Sequence, residues 1–352
     1  MEEKIIKINN TLIGGSNPVF IIAEIAQAHD GSLGNAHAYI DAAARAGVDA
    51  VKFQTHIAKA ESSKYETWRV KFSYQDNTRY DYWQRMEFTI EQWFSLKKHA
   101  EEKKLIFLSS PFSLEAVELL KKINIKAWKI ASGELNNKIM LDEILKTKLP
   151  VLLSTGMSNF KEIDNIVDNL NKFDVDYAIL QCTSIYPCPP EKVGLNLIQF
   201  LKNKYFCPVG LSDHTGKIYS SLAAVALGAD IIEVHITFSR DCFGPDVPAS
   251  ITVDELKMLV EGSKFIKKCL LNPVNKDSSY QETLDIKKLF NKSIFYSKSL
   301  RKGEVLRINH LKFLKPGLGI SPDRVGDFLG KPLARDVSEG KMLEEEDFYF
   351  NS

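Results

Sequence analysis

The sequence has few cysteines, no excess of charge of one sign and no long hydrophobic run, and each absence excludes a class of protein. Its five cysteines are scattered and form no CxxC pair, so neither a structural zinc site nor a disulfide-rich fold is expected. The 46 basic and 45 acidic residues leave a formal charge of +1, which argues against a general nucleic-acid binder. No run of 18 apolar residues occurs, and the first residues lack the apolar core of a signal peptide. We therefore expect a cytoplasmic protein with reduced thiols and with no membrane or nucleic-acid partner.

The composition that remains is that of an ordinary globular protein, with 44% apolar and 26% charged residues. From residue 19 to about 270, short apolar runs alternate with amphipathic stretches that have helical spacing. Continuous apolar strands that alternate with helices predict a parallel sheet covered by helices. Eight such units predict an α/β protein with a (β/α)8 TIM barrel rather than an open, doubly wound sheet. The eight predicted strands are 19–24, 49–54, 105–110, 127–132, 151–155, 177–183, 208–212 and 230–235.

The alternation stops after residue 272, where a stretch rich in turn-forming residues begins. We predict a barrel domain over 1–272, a linker over 273–284 and a small, mostly β domain over 285–352. Within the last domain, residues 300–306 resemble residues 337–343, each with a glycine before a hydrophobic anchor. This repeat suggests a pseudo-symmetric small domain.

One insertion interrupts the barrel pattern between the second predicted strand and its helix. Long loops inside compact domains are usually functional or disordered, and the many aromatic side chains here argue against disorder. The insertion is compatible with a lid over the barrel or with an interface patch, and the sequence does not separate the two. It spans residues 58–88 and contains Tyr65, Trp68, Phe72, Tyr74, Tyr80, Tyr82 and Trp83.

Polar side chains lie at the carboxyl ends of all eight predicted strands, where barrel enzymes place their active sites. Any one of them is also explained as a residue that caps a strand or makes a turn, but the set as a whole indicates a site. Its members are Glu24, Lys52, Gln54, Ser109, Ser110, Lys129, Ser132, Glu134, Ser154, Thr155, Thr183, Ser184, Tyr186, Ser212, Asp213, His214, Glu233, His235 and Thr237.

Two of these residues are candidate metal ligands. His214 and His235 end neighbouring predicted strands, so they are placed to present two imidazoles to one divalent cation, although a hydrogen-bonded pair without metal fits as well. Imidazole suits several divalent ions, so the metal is not identified by its ligands. The other histidines, which show no comparable pairing, are His29, His37, His56, His99 and His310.

Two lysines among short hydroxyl side chains indicate an anion site. Lys52 and Lys129 with the neighbouring serines suit a phosphate or carboxylate ligand, because charge-assisted hydrogen bonds are the strong ones. A Schiff-base lysine is the alternative. No nucleotide-binding glycine fingerprint occurs, so the anion is not expected to be a nucleotide. Glu24 and Glu134 remain as acid–base groups, as ligands of sugar hydroxyls or as ion-pair partners of the lysines.

Eight ordered segments resemble the sialic acid synthase (N-acetylneuraminate synthase) family, and the resemblance covers essentially the whole chain. The C-terminal part resembles the antifreeze-like (SAF) domain that this family carries after its barrel. The segments are FIIAEI at 20–25, VKFQ at 51–54, SPF at 110–112, WKIASGE at 128–134, STGM at 154–157, CTSIYP at 182–187, GLSDHT at 210–215 and GPD at 244–246.

The resemblance implies an enzyme that condenses phosphoenolpyruvate with N-acetylmannosamine or a related N-acyl aldose. Phosphate is released with C–O cleavage, and the product is N-acetylneuraminate or a related nine-carbon 2-keto acid. A divalent metal, commonly Mn²⁺ with Mg²⁺ or Co²⁺ as alternatives, is implied on His214 and His235, and a domain-swapped homodimer is implied as the assembly. Glu24, Lys129 and Glu134 are the candidate catalytic residues. Implied phosphoenolpyruvate contacts are Lys52, Ser110, Lys129, Ser132, Ser154, Ser184 and Ser212, and implied sugar contacts are Glu24, Gln54, Glu134, Tyr186 and Asp246.

Three departures from the family pattern concern the sugar end of the site. Lys315 stands before Pro-Gly where the family often has an arginine that reaches the acyl group, and lysine lacks the planar fork of arginine. Val234 replaces a basic residue before His235, and the insertion at 58–88 is the third departure. We keep Lys315 as a candidate sugar-binding residue.

The acceptor sugar therefore stays open. A 2,4-diacetamido-6-deoxy hexose would give a legionaminate- or pseudaminate-type acid, and a 6-phosphorylated sugar would make the chain an N-acylneuraminate-9-phosphate synthase. Less expected are a pyruvate-dependent metal aldolase and a non-catalytic glycan-binding homologue. Ice binding is not expected, because the charged tail has no flat, repetitive hydroxyl face.

Overall fold

The computed structural model describes residues 4–349 and divides the chain into two compact units, with the division after Asn272. In the first unit, eight parallel strands form a nearly closed barrel, numbered here barrel strands 1 to 8 along the chain. Hydrogen-bonded neighbours follow the order 3-2-1-8-7-6-5-4, and strands 3 and 4 lie side by side where the ring closes. The predicted (β/α)8 barrel is confirmed. The strands are Phe20–Ala26, Ala50–Thr55, Ile106–Pro111, Trp128–Ile130, Val151–Ser154, Tyr177–Cys182, Val209–Asp213 and Ile231–Thr237.

Helices cover the outside of the barrel and bury their apolar stripes against the strands. Several begin at a capping box, such as Thr89 with Gln92 and Thr252 with Glu255. The helices of this unit are Leu33–Ala46, Ala58–Glu61, Arg79–Met86, Ile90–Glu102, Leu114–Lys122, Lys138–Leu145, Phe160–Lys172, Asn196–Tyr205, Tyr219–Ala226 and Val253–Leu271.

The barrel interior changes from apolar to polar along every strand. Its amino-terminal half is filled by an apolar cluster that includes Phe20, Ile22, Leu108, Leu152 and Ile231, and the hairpin Ile6–Ile8 with Thr11–Ile13 adds three isoleucines to the same cluster. Alternate residues of a strand point inward, so the next inward positions lie two residues further on. These positions are polar and buried: Glu24, Lys52, Ser110, Lys129, Ser154 and Glu233. The alternation that fills the barrel thus also positions a polar layer at its carboxyl end.

The insertion at 58–88 has a small core of its own. Helices Ala58–Glu61 and Arg79–Met86 pack around Tyr82, Trp83 and Met86, with three further aromatic side chains against them. Arg85 fixes the segment between the helices through ion pairs with Asp76 at 2.7 Å and Asp30 at 2.8 Å. The insertion is therefore an ordered element of the barrel unit.

The second unit is small, as predicted, and its two-stranded sheet is antiparallel. Strands Ser293–Tyr296 and Leu311–Leu314 pair with each other, and the first residues of the two repeated segments, Leu300 and Val337, form an antiparallel bridge. Residues 273–284 were predicted as a linker, but helices Lys276–Glu282 and Leu284–Phe290 begin there. The reason is that the Asn275 side chain accepts the backbone N–H groups of Asp277 and Ser278, so a turn-forming residue acts as a helix cap. Within residues 4–349, no helix has the length and apolar character required to span a membrane.

Candidate active site

A cavity of about 410 Å³ opens at the carboxyl ends of the barrel strands. The structure brings together around it every barrel residue to which the family resemblance gave a role, whereas the predicted strand-end residues Ser109, Thr155, Thr183, Asp213 and Thr237 do not line it. Lys315 belongs to the second unit, where its ammonium group lies 4.8 Å from the centroid of the Phe290 ring. The cavity-lining residues that were predicted are Glu24, Lys52, Gln54, Ser110, Lys129, Ser132, Glu134, Ser154, Ser184, Tyr186, Ser212, His214, His235 and Asp246.

The inner half of the cavity is a buried network of two lysines and two glutamates. Lys52 Nζ lies 2.8 Å from Glu24 Oε2, and Lys129 Nζ lies 3.4 Å from Glu233 Oε1. Glu233 also lies 4.0 Å from Lys52 and accepts a hydrogen bond from Ser212 at 2.8 Å, so it links both lysines. The sequence placed Glu233 at a strand end without assigning it a role. Strand register explains its position, because Glu233 is directly opposite Ser212.

Burial and mutual attraction set the ionisation of this network. Burial raises the pKa of Glu24, against the opposing effect of Lys52. Burial also opposes the charge of Glu233, but Lys129 and Lys52 outweigh it and lower the pKa of this carboxyl. The pKa of Lys52 is raised, because Glu233 and Glu24 outweigh its burial, whereas burial lowers the pKa of Lys129. The raised pKa of Glu24, about 7, lets this carboxyl take up a proton near neutral pH, which leaves positive charge on the lysines for an anionic ligand.

Hydroxyl groups surround the lysines and approach a glycine backbone. Lys129 Nζ donates to Ser154 at 2.6 Å, and Lys52 Nζ donates to Ser110 at 3.4 Å. The Gly156 N–H donates to Ser132 at 3.0 Å. A Cβ at position 156 would lie 2.5 Å from Ser184 Oγ and 2.7 Å from Cys182 Sγ, so any larger residue would displace these side chains. Ammonium, hydroxyl and backbone donors in one place suit a phosphate or carboxylate group.

The two predicted metal ligands are neighbours with different partners. The His214 and His235 ring centroids are 5.2 Å apart. His214 Nδ1 lies 3.1 Å from the Thr183 carbonyl, which accepts the Nδ1 proton and leaves Nε2 as a free electron pair. Burial lowers the pKa of His235 to about 3, so its imidazole is neutral.

The neutral His235 imidazole and the His214 imidazole, which a carbonyl group orients, fit a divalent cation. In residues 4–349 no group of three or more His, Cys, Asp or Glu side chains is placed to hold a metal. A metal bound here would therefore take further ligands from substrate or water.

Contacts of three further histidines correct the sequence analysis, which found pairing at none of them. His56 directly follows strand Ala50–Thr55, with its Nε2 3.2 Å from Gln54 Oε1 and its Nδ1 2.5 Å from Glu61 Oε1. His37 and His99 contact each other at 2.8 Å. In both cases the partner is placed by the fold, from the insertion or from an adjacent helix, and no short-range pattern indicates it.

The insertion supplies one wall of the cavity, so it has a place at the barrel mouth. We call Glu61, Glu66, Arg69, Arg79 and Trp83 the insertion wall, since all five line the cavity. The sequence analysis missed these polar members. Only the length and aromatic content of the insertion signalled a function there.

Arginines of the insertion wall are paired with carboxylates. Arg69 Nη2 lies 2.8 Å from Asp246 Oδ1, and its guanidinium lies 4.6 Å from the centroid of the Tyr186 ring. Arg79 Nε lies 3.0 Å from Glu66 Oε1. The wall therefore reaches two residues, Asp246 and Tyr186, that the sequence analysis assigned to the sugar.

Glu134 lies in the outer half of the cavity, away from the ion pairs of the lysines. Its Oε2 accepts a hydrogen bond from Asn137 at 3.1 Å. Burial raises the pKa of Glu134, and the nearby carboxylate of Glu61 adds to this effect. Of the two glutamates expected to pair with lysines, Glu24 does so and Glu134 does not.

The fold and the site together define a barrel protein with an anion-binding pocket and a separate polar wall at its mouth. Comparison with known families identifies which barrel protein it is. The NeuB family model matches residues 39–274 and the SAF domain model matches residues 291–348. The chain belongs to the NeuB family, and the predicted relationship to sialic acid synthases is confirmed.

Relatives of this chain are synthases of different nine-carbon sugar acids. N,N'-diacetyllegionaminic acid synthase of Campylobacter jejuni subsp. jejuni is 37% identical, over 92% of this chain and 98% of the relative. The human N-acetylneuraminate-9-phosphate synthase is 31% identical, over 95% of this chain and 94% of the relative. The crystal structure of an N-acetylneuraminic acid (sialic acid) synthetase from Leptospira borgpetersenii has a TM-score of 0.72 and 33% identity, over 81% of this chain and 96% of that one. The chain is thus a synthase of the nonulosonic acid family, and its relatives differ in product.

Proposed function

We propose that this protein condenses phosphoenolpyruvate with N-acetylmannosamine or a related N-acyl aldose, with C–O cleavage and phosphate release. The product is N-acetylneuraminate or a related nine-carbon 2-keto acid. The observation that carries the proposal is the buried pair Lys52 and Lys129 among hydroxyl groups, in the same cavity as His214 and His235. Pyruvate would need no phosphate site, so this arrangement favours phosphoenolpyruvate over a pyruvate-dependent aldolase.

The inner half of the cavity would bind phosphoenolpyruvate. Lys52 and Lys129 offset its charge, while Ser110, Ser132, Ser154, Ser184 and Ser212 donate hydrogen bonds. The enol carbon attacks the aldehyde carbon of the open-chain sugar. Water then adds to the carbon that carries the phosphate, and the tetrahedral intermediate expels phosphate. Held between buried lysines, the reactants exchange water for fixed charges, which favours the charged intermediate.

Glu134 and Glu24 are the candidate groups for proton transfer. Burial raises the pKa of Glu24 to about 7, so this carboxyl can gain or lose a proton near neutral pH, and burial also raises the pKa of Glu134. We assign the proton of the attacking water to Glu134. A Glu134→Gln variant that binds both substrates and keeps full turnover would remove this assignment.

His214 and His235 would hold a divalent metal, with Mn²⁺ as the leading choice and Mg²⁺ or Co²⁺ as alternatives. A metal bound there supplies Lewis-acid polarisation of the sugar aldehyde. The chain contributes two imidazoles, and the Thr183 carbonyl orients that of His214.

Phosphate release tests the proposal directly. The full chain is incubated with phosphoenolpyruvate, Mn²⁺ and a panel of N-acyl aldoses, with the bridging oxygen of phosphoenolpyruvate labelled with ¹⁸O. C–O cleavage places the label in the released phosphate, whereas P–O cleavage leaves it in the organic product. If no sugar in the panel leads to phosphate release, the synthase proposal is wrong.

A 2,4-diacetamido-6-deoxy hexose is a second candidate acceptor, supported by the 37% identity to a diacetyllegionaminic acid synthase. A domain-swapped homodimer and a contact of Lys315 with the acyl group of the sugar are further proposals. Light scattering tests the first of these. The KM for sugar of a Lys315→Ala variant tests the second, since a lost contact raises that KM alone.

A further inference from the structure

The outer half of the cavity contains a carboxylate oxygen that makes no hydrogen bond. Glu61 has 9% of its side chain exposed, and His56 Nδ1 holds its Oε1 at 2.5 Å. Its Oε2 is buried and makes no hydrogen bond. Buried acceptors are nearly always satisfied, and this residue lines the cavity. A donor from a ligand would complete the site.

Glu61 is fixed in position before any ligand binds. The His56 ring is stacked between Trp83 and Phe112, with centroid distances of 3.9 Å and 4.4 Å. Both of its nitrogens face acceptors, Gln54 Oε1 on one side and Glu61 Oε1 on the other. The imidazole therefore cannot turn away without losing two contacts, and it orients the carboxylate.

A continuous series of contacts places Glu61 at the end of the cavity remote from the lysines. Lys52 contacts Glu24, Glu24 accepts from Gln54 at 3.0 Å, and Gln54 contacts His56, which holds Glu61. Positions 52 and 56 are separated by about 13 Å at the usual rise of a strand. A sugar whose aldehyde lies beside phosphoenolpyruvate would direct its other end towards Glu61.

Carboxylates offset the arginine charges of this outer half, which disfavours a phosphate ester. Arg69 donates to Asp246 at 2.8 Å, and Arg79 Nε lies 3.0 Å from Glu66 Oε1 as an ion pair without hydrogen-bond geometry. Glu134 adds a further carboxylate that interacts with Glu61. Among the described residues that form the insertion wall, each arginine thus already has a carboxylate partner. A phosphate dianion requires uncompensated cationic donors, whereas a hydroxyl or amide N–H suits a free carboxylate oxygen.

We propose that Glu61 determines specificity for the far end of the acceptor sugar by accepting a hydrogen bond from a neutral hydroxyl or amide N–H group there. The enzyme then selects unphosphorylated sugars. His56 acts as a positioning residue for Glu61. The inference rests on the proposed condensation and adds the class of acceptor.

The experiment measures phosphate release with three acceptors: N-acetylmannosamine, its 6-phosphate and a 2,4-diacetamido-2,4,6-trideoxy hexose. Wild-type protein is compared with Glu61→Ala and with Glu261→Ala, a matched control on the exposed face of helix Val253–Leu271. We expect wild type to favour an unphosphorylated sugar over the 6-phosphate by at least about tenfold in kcat/KM. Glu61→Ala should raise the KM for that sugar about tenfold, as expected for a lost hydrogen bond to a charged group. The KM for phosphoenolpyruvate should not change in either variant.

The outcomes separate the inference from the proposed function. A wild type that prefers the 6-phosphate, or a Glu61→Ala variant that loses the same factor with every sugar, would overturn the role of Glu61 and leave the condensation standing. No phosphate from any sugar with wild type would overturn both. If Glu61→Ala melts at a lower temperature, Glu61→Gln keeps the shape and removes the charge, and it should show a smaller rise in the same KM.

Discussion

The two halves of the cavity are built from different parts of the chain, and their ion pairs differ in burial and in arrangement. The inner half comes from barrel strands, and Lys52, Lys129 and Glu233 are each at most 4% exposed. The outer half comes largely from the insertion, where the Arg69 side chain is 41% exposed. In the inner half one glutamate serves two lysines, whereas in the insertion wall each arginine has its own carboxylate.

This difference separates the reaction from the choice of sugar. Strand register fixes the inner residues, because Glu24 lies opposite both Lys52 and His235 in the sheet. Such positions change little without disturbing the barrel. Loops at a barrel mouth vary more freely, and the insertion is such a loop. Relatives with different products are therefore expected to share the inner half and its reaction, and to differ in the insertion that lines the outer half.

Removing a positive charge from the inner half should give the largest change in activity, and it tests whether this half carries the reaction. We expect Lys129→Gln to lower kcat for phosphate release a hundredfold to a thousandfold, as observed when a preorganised electrostatic donor is removed from an active site. The lost ammonium contacts Glu233 and Ser154. Steady-state phosphate release measures the effect, with Lys257→Gln on an exposed helix face as the control. Turnover within threefold of wild type would mean that the inner half does not stabilise the reacting anion.

Metal removal tests the role of His214 and His235, which line the cavity beside the lysine network. We expect a chelator to abolish phosphate release and Mn²⁺ to restore it. His214→Ala should lower Mn²⁺ affinity at least tenfold to a hundredfold, since even residues that only orient metal ligands have effects of that size. Electron paramagnetic resonance of free Mn²⁺ reports binding independently of activity. His37→Gln, from the helix layer, is the control, and full activity in excess chelator would contradict the metal proposal.

A backbone position in the inner half gives a smaller, more selective effect. Gly156→Ala should raise the KM for phosphoenolpyruvate about tenfold, because its Cβ meets Ser184 Oγ at 2.5 Å and displaces the hydroxyls around the anion. Overpacking of this kind costs about 1–3 kcal/mol of stability. The KM for sugar should change less. Gly326→Ala is the control, since nothing lies within 4 Å of a Cβ there. Equal changes in both KM values would show that the two halves are not independent.

Most of the inner half could be predicted from the sequence, because its residues lie within or directly after short apolar runs that are visible in the sequence. Apolar runs predicted the barrel strands, and the residues at the strand ends follow from the place of active sites in this fold. The family resemblance then added the roles of these residues. Glu233 received no role, since its function depends on lysines from two other strands that only the barrel brings together.

The outer half could not be predicted in the same way. His56, Glu61 and Arg69 belong to no repeated pattern, and the partner of Arg69 is 177 residues away in sequence. Ion pairs between an insertion and a distant loop depend on tertiary packing, which periodicity does not encode. The aromatic content of 58–88 indicated that the insertion is ordered but gave no indication of which polar side chains face the cavity.

The smallest predicted effect concerns this outer half and is the most selective. Arg69→Ala removes an ion pair with Asp246 and a cation–π contact with Tyr186, both at a partly exposed position. Each contact contributes up to about 1 kcal/mol at such sites, so we expect roughly a fivefold rise in the KM for sugar. The KM for phosphoenolpyruvate and the kcat for phosphate release at saturating sugar should stay at wild-type values. Arg45→Ala, on the exposed side of helix Leu33–Ala46, is the control. A matching rise in the KM for phosphoenolpyruvate would instead mean that the insertion holds the reacting end of the site, and the division between the two halves would not stand.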